Sequence, residues 1–214
     1  MRIVLLGPPG SGKGTQAVKV AAKLEAVHIA TGDLFRTEIE AETELGLLAN
    51  EYIAHGNLVP NEVTNAMMKE RLARPDADSF VLDGYPRTLD QASALEEMLT
   101  HLGKPLDGAF LIDVPDESIV ERAVGRLLCK SCGAIYHLKF KPPQVAGICD
   151  VCRGILSVRE DDTPSTVRHR LTVYHRITTP VLAFYEERDL LTRVNGVGTP
   201  QEIYDRLVAV LFQA

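Results

Sequence analysis

Near its start the chain carries Gly7-Pro8-Pro9-Gly10-Ser11-Gly12-Lys13-Gly14-Thr15, directly after the apolar run Ile3-Val4-Leu5-Leu6. A short β-branched and leucine run, a glycine-rich turn, then Lys-Gly-Thr and a helical stretch reads as a strand–loop–helix phosphate site. Glycines let the backbone wrap so that several N–H groups converge on oxyanions. The helix opening near Lys13 adds the positive end of its dipole. Lys13 supplies a mobile cation for β- and γ-phosphates. The general motif puts Ser or Thr directly after the lysine. Here Gly14 intervenes before Thr15, which lowers the fit to GTPases and motor ATPases.

All four cysteines fall in one short stretch, as Cys129-Lys130-Ser131-Cys132 and Cys149-Asp150-Val151-Cys152, with sixteen residues between the pairs. This spacing suits two knuckles forming one tetrahedral Zn²⁺ site, with iron as the alternative occupant of such a four-sulfur cage. Gly133 and Gly154 follow the pairs and permit tight turns. A closed four-sulfur site leaves no open position, so the metal is expected to be structural. Disulfides or a redox pair are the other reading, which a cytoplasmic setting disfavours.

Arginines recur at turns and expected strand ends: Arg36, Arg87, Arg126, Arg159 and Arg170. Arg87 lies in Leu82-Asp83-Gly84-Tyr85-Pro86-Arg87-Thr88, after a buried strand, where α/β folds place ligands. Phosphoryl transfer needs such a set, because charge spreads over the transferred group's oxygens and catalysis is positioning plus electrostatic clamping. An acceptor that is itself a phosphate needs no base, and the chain offers no convincing one. Asp83, ending its strand, suits Mg²⁺ through water; the alternative is a cap for the following turn.

Positioning these groups falls to alternating elements. Strands are expected over 2–6, 27–29, 80–82, 109–113 and 191–194, each short and apolar as in a parallel sheet buried on both faces. Helices are expected over 13–24, 61–73, 89–101, 116–125, 164–187 and 200–212. The alternation implies an α/β three-layer sandwich around a five-stranded parallel sheet. Two segments interrupt it. Residues 30–59 read as a helical insertion and 126–162 as a cysteine-bearing lid, leaving 1–29, 60–125 and 163–214 as the core.

The 214 residues carry a net charge of −6, with 45% hydrophobic and 24% charged residues. An acidic balance opposes nucleic acid as the main partner. No apolar run approaches the ~18 residues of a membrane span, and the 3–6 run is too short for a signal peptide. A cytoplasmic protein with no membrane partner is expected.

Together these residues resemble adenylate kinases, in the long form with a zinc-bearing lid, from Met1 to about Gly198. The resemblance implies transfer between Mg·ATP and AMP to give two ADP, by a monomer. It implies an ATP phosphate loop of Gly10, Ser11, Gly12, Lys13, Gly14 and Thr15. It places Arg122 and Gly198 against the donor adenine, and Arg126, Ile135 and Tyr136 on the donor nucleotide. For AMP it implies Thr31, Arg36, the segment Asn57, Leu58 and Val59, the stretch Gly84, Tyr85, Pro86 and Arg87, and Gln91 reading the adenine edge. Arg159 and Arg170 would bridge both substrates. Asn57 departs from the Lys or Arg of many members, where only backbone contact is expected. Leu127 stands where some members carry a second arginine, so no phosphate contact is assigned to it. The rival readings are a monophosphate kinase preferring another donor such as GTP, and a zinc-ribbon binding protein switched by nucleotide.

Overall fold

The computed structural model describes residues 1–158 and 162–212. Five parallel strands form the central sheet: β1 (Arg2–Leu6), β2 (Val27–Ala30), β3 (Phe80–Asp83), β4 (Gly108–Asp113) and β8 (Leu191–Asn195). Their spatial order is β2-β3-β1-β4-β8, so β1 is central and the phosphate loop leaves from the middle of the sheet. The run that ends in that loop is buried on both faces: Ile3 and Val4 are fully enclosed, and Leu5 and Leu6 nearly so. That burial explains why it reads as continuous apolar sequence, without the alternation of a half-exposed strand.

Helices cover both faces. On one, α1 (Lys13–Lys23) and α9 (Pro200–Leu211) close a core of Ile3, Leu5, Val20, Val81, Phe110 and Leu207. On the other, α4 (Asn61–Leu72), α5 (Leu89–His101) and α8 (Thr179–Glu186) enclose Val4, Met68, Phe80, Leu82, Leu95 and Tyr185. A third cluster joins α6 (Asp116–Val124) to α7 (Pro164–Val173) through Ile119, Val167 and Leu171.

The two interrupting segments take separate forms. α2 (Thr31–Glu40) and α3 (Glu44–Ile53) pack through Phe35, Ala49 and Val59. The cysteine-bearing stretch forms a small antiparallel sheet of β5 (Arg126–Cys129), β6 (Ile135–His137) and β7 (Leu156–Ser157), in order β6-β5-β7. Its interior holds little beyond Leu127, Tyr136, Leu156 and two cysteines.

The helix expected over 164–187 is divided. A π-helical turn at Tyr174–Thr178 separates α7 from α8. Pro180 is the cause: it lacks an N–H, and its ring would meet the carbonyl four residues back in a regular α-helix, so the backbone widens ahead of it. Among the described residues, no helix is long and apolar enough to cross a membrane.

Candidate functional site at the ends of β1 and β3

The loop after β1 turns through Gly10 at φ +84° and Gly12 at φ +96°. A Cβ on Gly10 would lie 2.9 Å from Ile119 Cγ2, whereas one on Gly12 would meet nothing within 4 Å. Gly10 is therefore required by close packing on α6, and Gly12 by the left-handed turn that opens α1. Ser11 lies in the same loop, fully buried, its Oγ among the buried polar atoms with no hydrogen-bond partner.

Lys13 reaches back across the loop and donates to the carbonyls of Gly7 at 2.6 Å and Pro8 at 2.8 Å. Burial lowers its ammonium pKa to about 8; Asp83 pulls it up, while Arg87 and Arg126 push it further down. Charges from the end of β3, the turn after it and the start of the cysteine-bearing insertion all act on the lysine. Asp83 ends β3 beside the loop, its Oδ2 3.2 Å from where a Gly14 Cβ would stand. Burial raises the Asp83 carboxyl, but the His28 imidazole and Lys13 ammonium outweigh that and hold it below the usual range. An ionised carboxylate facing the opening of α1 fits an acid meant for a hydrated cation.

The turn after β3 carries the next group. Arg87 Nε donates to the Gly84 carbonyl at 2.6 Å, and Thr31 Oγ1 donates to the same oxygen at 2.9 Å. Thr31 opens α2, so the helical insertion and the β3 turn share one backbone acceptor. Tyr85 is buried, and its hydroxyl donates to Asn65 Oδ1 at 2.8 Å. It precedes Pro86 through a cis peptide bond. The Arg87 pKa is lowered by burial first, then by the charges of Arg170 and Arg36, against the pull of Asp83. Three arginines from separate segments therefore act on one space. Arg36 is paired with Asp33 one turn earlier. Arg170 donates to the Ile53 carbonyl at 3.4 Å.

Arg126, the first residue of β5, forms a two-pronged pair with Asp162, Nε to Oδ2 at 2.7 Å and Nη2 to Oδ1 at 2.5 Å. Arg122 Nη1 donates to the Gly196 carbonyl at 3.0 Å, tying α6 to the loop that carries Gly198. Ile135 and Tyr136 lie on β6, opposite Leu128 and Leu127. Tyr136 is turned into the lid, its hydroxyl accepting from the Asp150 N–H at 2.9 Å. Its side chain is therefore committed to the interior of the insertion, and only its backbone remains for an outside contact. Asn57 sits at the foot of the helical insertion, with Oδ1 3.1 Å from His169 Nε2. Leu58 is half-buried, and Val59 is buried in the insertion's core. Arg159 lies outside the described residues.

The four cysteines come together, with all Sγ atoms within 4.8 Å of one another. The close pairs run across the two knuckles, Cys129 to Cys152 at 3.4 Å and Cys132 to Cys149 at 3.6 Å. Sulfurs around a tetrahedral ion with ~2.3 Å bonds stand ~3.8 Å apart, so this arrangement fits a metal cage. Burial raises the Cys149 thiol, but the Cys152 and Val151 N–H groups and the Tyr136 hydroxyl bring its pKa down to about 6. The Cys129 thiol is likewise held down, while those of Cys132 and Cys152 are pushed up by the neighbouring cysteine sulfurs.

Three residues of the site escape a reading of the sequence alone. His28 lies with Nε2 3.9 Å from Asp83 Oδ2, brought there by the pairing of β2 with β3. Asp162 is the acidic partner of Arg126, and Asn61 holds Gln91 through its amide at 3.0 Å. Asp162 stands in the family-like run Arg159-x-Asp161-Asp162, but its pairing with Arg126, like the roles of His28 and Asn61, becomes visible only once the strand order and helix packing are known.

The model of the family described as adenylate kinase matches residues 5–190. A protein of Symbiobacterium thermophilum named adenylate kinase is 56% identical over 197 residues, 92% of this chain and 91% of its own length. One of Clostridium botulinum with the same name is 48% identical over 212 residues, covering 99% of this chain and 98% of its own length. One of Streptomyces avermitilis, again so named, is 48% identical over 213 residues, covering 99% and 97%. A glycine-rich loop with a buried lysine after the central strand, arginines gathered around the turn after β3 and a four-cysteine insertion, on a chain matched along most of its length, leave one assignment: the chain belongs to the adenylate kinase family.

Proposed function

We infer that the chain catalyses reversible phosphoryl transfer from Mg·ATP to AMP, giving two ADP. The observation that carries the reading is the convergence of Lys13, Arg87 and Arg126 on the space beside Asp83, with Arg36 and Arg170 close enough to act on Arg87. The AMP phosphate is already an oxyanion near neutral pH, so the absence of a general base is consistent with the chemistry.

The residues divide by substrate. The backbone of Gly10–Thr15 and Lys13 hold the ATP phosphates, with Arg126 joining from the lid. Arg122, the Gly198 backbone, Ile135 and the Tyr136 backbone flank the donor nucleoside. Arg87 and Arg36 hold the AMP phosphate, and Thr31, the Asn57–Val59 backbone, the Gly84–Pro86 turn and Gln91 shape its nucleoside site. Arg170 would bridge the two substrates, a role that the family resemblance also gives Arg159. Magnesium, held by Asp83 through water, would neutralise charge on the donor phosphates. Zinc in the four-cysteine cage would be structural, supplying stability that the small lid interior lacks. The division into a core, an AMP-side insertion over 30–59 and a lid over 126–162 follows, with both insertions closing to exclude water. A cytoplasmic monomer is carried forward from the family resemblance.

The test is ADP formation from Mg·ATP with and without AMP, with GTP as alternative donor and CMP and UMP as alternative acceptors. AMP-dependent formation of two ADP per ATP is expected. Hydrolysis of ATP without AMP-dependent ADP would overturn the reading, and equal rates with GTP would widen the donor class.

A further inference from the structure

We propose that Asn61 is a specificity-determining positioning residue. It fixes which way the Gln91 carboxamide faces and thereby favours a 6-aminopurine monophosphate over a 6-oxopurine one. The inference rests on Gln91 reading the acceptor base, as set out above, and adds the residue that gives that reading its sign.

Gln91 is 2% exposed and sits in the first turn of α5, behind the Thr88 cap. Its Oε1 accepts from the Arg87 backbone N–H at 2.7 Å. Its Nε2 donates to Asn61 Oδ1 at 3.0 Å. Asn61, the first residue of α4, turns its own Nδ2 toward Asp90 Oδ2 at 3.1 Å. Thr88 Oγ1 accepts from the Gln91 N–H at 3.1 Å and donates to the same Asn61 Oδ1 at 3.1 Å.

The chemistry of the two ends leaves one orientation for each amide. A backbone N–H can only donate and an ionised carboxylate can only accept. Between the Arg87 N–H and the Asp90 carboxylate, both carboxamides must therefore point oxygen toward Arg87 and nitrogen toward Asp90. Reversing Gln91 would set its NH₂ against the Arg87 N–H and its oxygen against Asn61 Oδ1. With the side chain enclosed, water cannot repair either mismatch.

Held this way, Gln91 keeps one Nε2 hydrogen and one Oε1 lone pair uncommitted. Adenine presents an amino donor at C6 beside the acceptor N1, which complements that pair. Hypoxanthine presents the reverse, a carbonyl acceptor beside an N1–H donor, and would need the amide turned over. Arg87 restrains only the oxygen end. Without Asn61 the nitrogen end loses its acceptor, and turning over becomes less costly. A site built to hydrogen-bond one pattern discriminates through the groups left unpaired by the other.

The experiment measures kcat and KM for AMP and for IMP, with Mg·ATP as donor. The proteins are the parent, Asn61→Leu, Asn61→Ala, the double variant Asn61→Asp with Asp90→Asn, and Gln91→Leu, each checked by thermal melting. The AMP-to-IMP ratio of kcat/KM is expected to fall ~10-fold in Asn61→Leu and Asn61→Ala, the loss of one orienting hydrogen bond to a buried amide. The change should sit in KM for AMP, with KM for ATP unmoved. Asn61→Asp, made together with Asp90→Asn so that no two carboxylates face each other, still offers an oxygen to Gln91 Nε2 and should keep the ratio within ~3-fold of the parent. An unchanged ratio in both Asn61→Leu and Asn61→Ala, alongside a collapsed ratio in Gln91→Leu, would overturn the role of Asn61 alone. A collapse in the Asn61→Asp, Asp90→Asn protein equal to that in Asn61→Leu, with normal melting, would also overturn it. An unchanged ratio in Gln91→Leu would remove the base-reading role of Gln91, and this inference with it.

Discussion

Replacing Asp162 by Asn should move stability and donor affinity in opposite directions. The Asp162 side chain is fully buried, and Arg126 is 21% exposed. Their two-pronged contact is charge-assisted at both points, and such bonds contribute ~1.5–3 kcal/mol each. Asparagine keeps one acceptor, so one bond is lost and the other becomes neutral. Partial solvation of Arg126 returns some of that, leaving a net loss of about 2 kcal/mol. For a chain of this length that corresponds to a melting temperature lower by roughly 4–8 °C. Donor phosphates, on the proposed reading, draw the same guanidinium away from Asp162. Weakening the pair raises the free energy of the ligand-free state more than that of the complex, so ATP should bind severalfold more tightly. Calorimetric melting with ATP titration tests both, and a cycle with Arg126→Met isolates the coupling. A melt within about 1 °C of the parent would refute the energetic argument. ATP affinity falling together with stability would mean instead that Asp162 holds Arg126 in its working position.

Other perturbations address the remaining parts. Lys13→Met should lower the transfer rate ~10²–10³-fold with the fold retained, since one preorganised cation on the transferred group is lost; a near-parent rate in single-turnover assays would contradict the loop assignment. In the ligand-free chain Lys13 titrates near 8, against an unperturbed 10.5, so ATP affinity should fall as pH rises through 8. Over that same window the unfolded chain binds the extra proton, so this lysine alone makes stability rise from pH 8 to 10.5; constant ATP affinity across the window would exclude the shift. Stripping the metal with a strong chelator should lower the melting temperature and expose the 126–157 stretch to protease, and an unchanged digestion pattern in verified metal-free protein would argue against a structural ion. Thr199→Ala removes the capping box of α9, in which Thr199 N donates to Glu202 Oε2 at 2.8 Å, and should lower stability by ~1 kcal/mol in urea denaturation.

What the sequence made legible follows contiguity. The phosphate loop and the cysteine knuckles each need their residues within a few positions of one another, so Gly10–Thr15 and Cys129–Cys152 declare themselves locally. The arginines are recruited from α2, the β3 turn, β5 and α7, and no spacing along the chain marks them as a group. Their places at turns and strand ends made them candidates, but which substrate each holds came through resemblance to a family. Residues that tune others are less legible still. His28 reaches Asp83 only because β2 lies beside β3 with His28 opposite Val81. Asn61 reaches Gln91 only because α4 and α5 start side by side. The division of the 164–187 helix had a local cause in Pro180, but its consequence, a π-helical turn in place of a break, depends on α7 and α8 both being held against the sheet.

Every cation of the proposed clamp that lies in the described residues has an internal acceptor, and the acceptors are not equivalent. Lys13 rests on two carbonyls and Arg87 on one, all neutral groups that exchange for phosphate oxygens with a gain in charge complementarity. Arg36 is paired with Asp33, on the exposed face of α2, where solvent already weakens the attraction. Arg126 must leave a fully buried carboxylate. Its transfer is therefore costlier than that of Lys13, Arg87 or Arg36, and it begins the cysteine-bearing insertion. Phosphate charge assembled on the loop would have to accumulate before Arg126 is drawn across, so closure over the donor would follow nucleotide binding and not precede it.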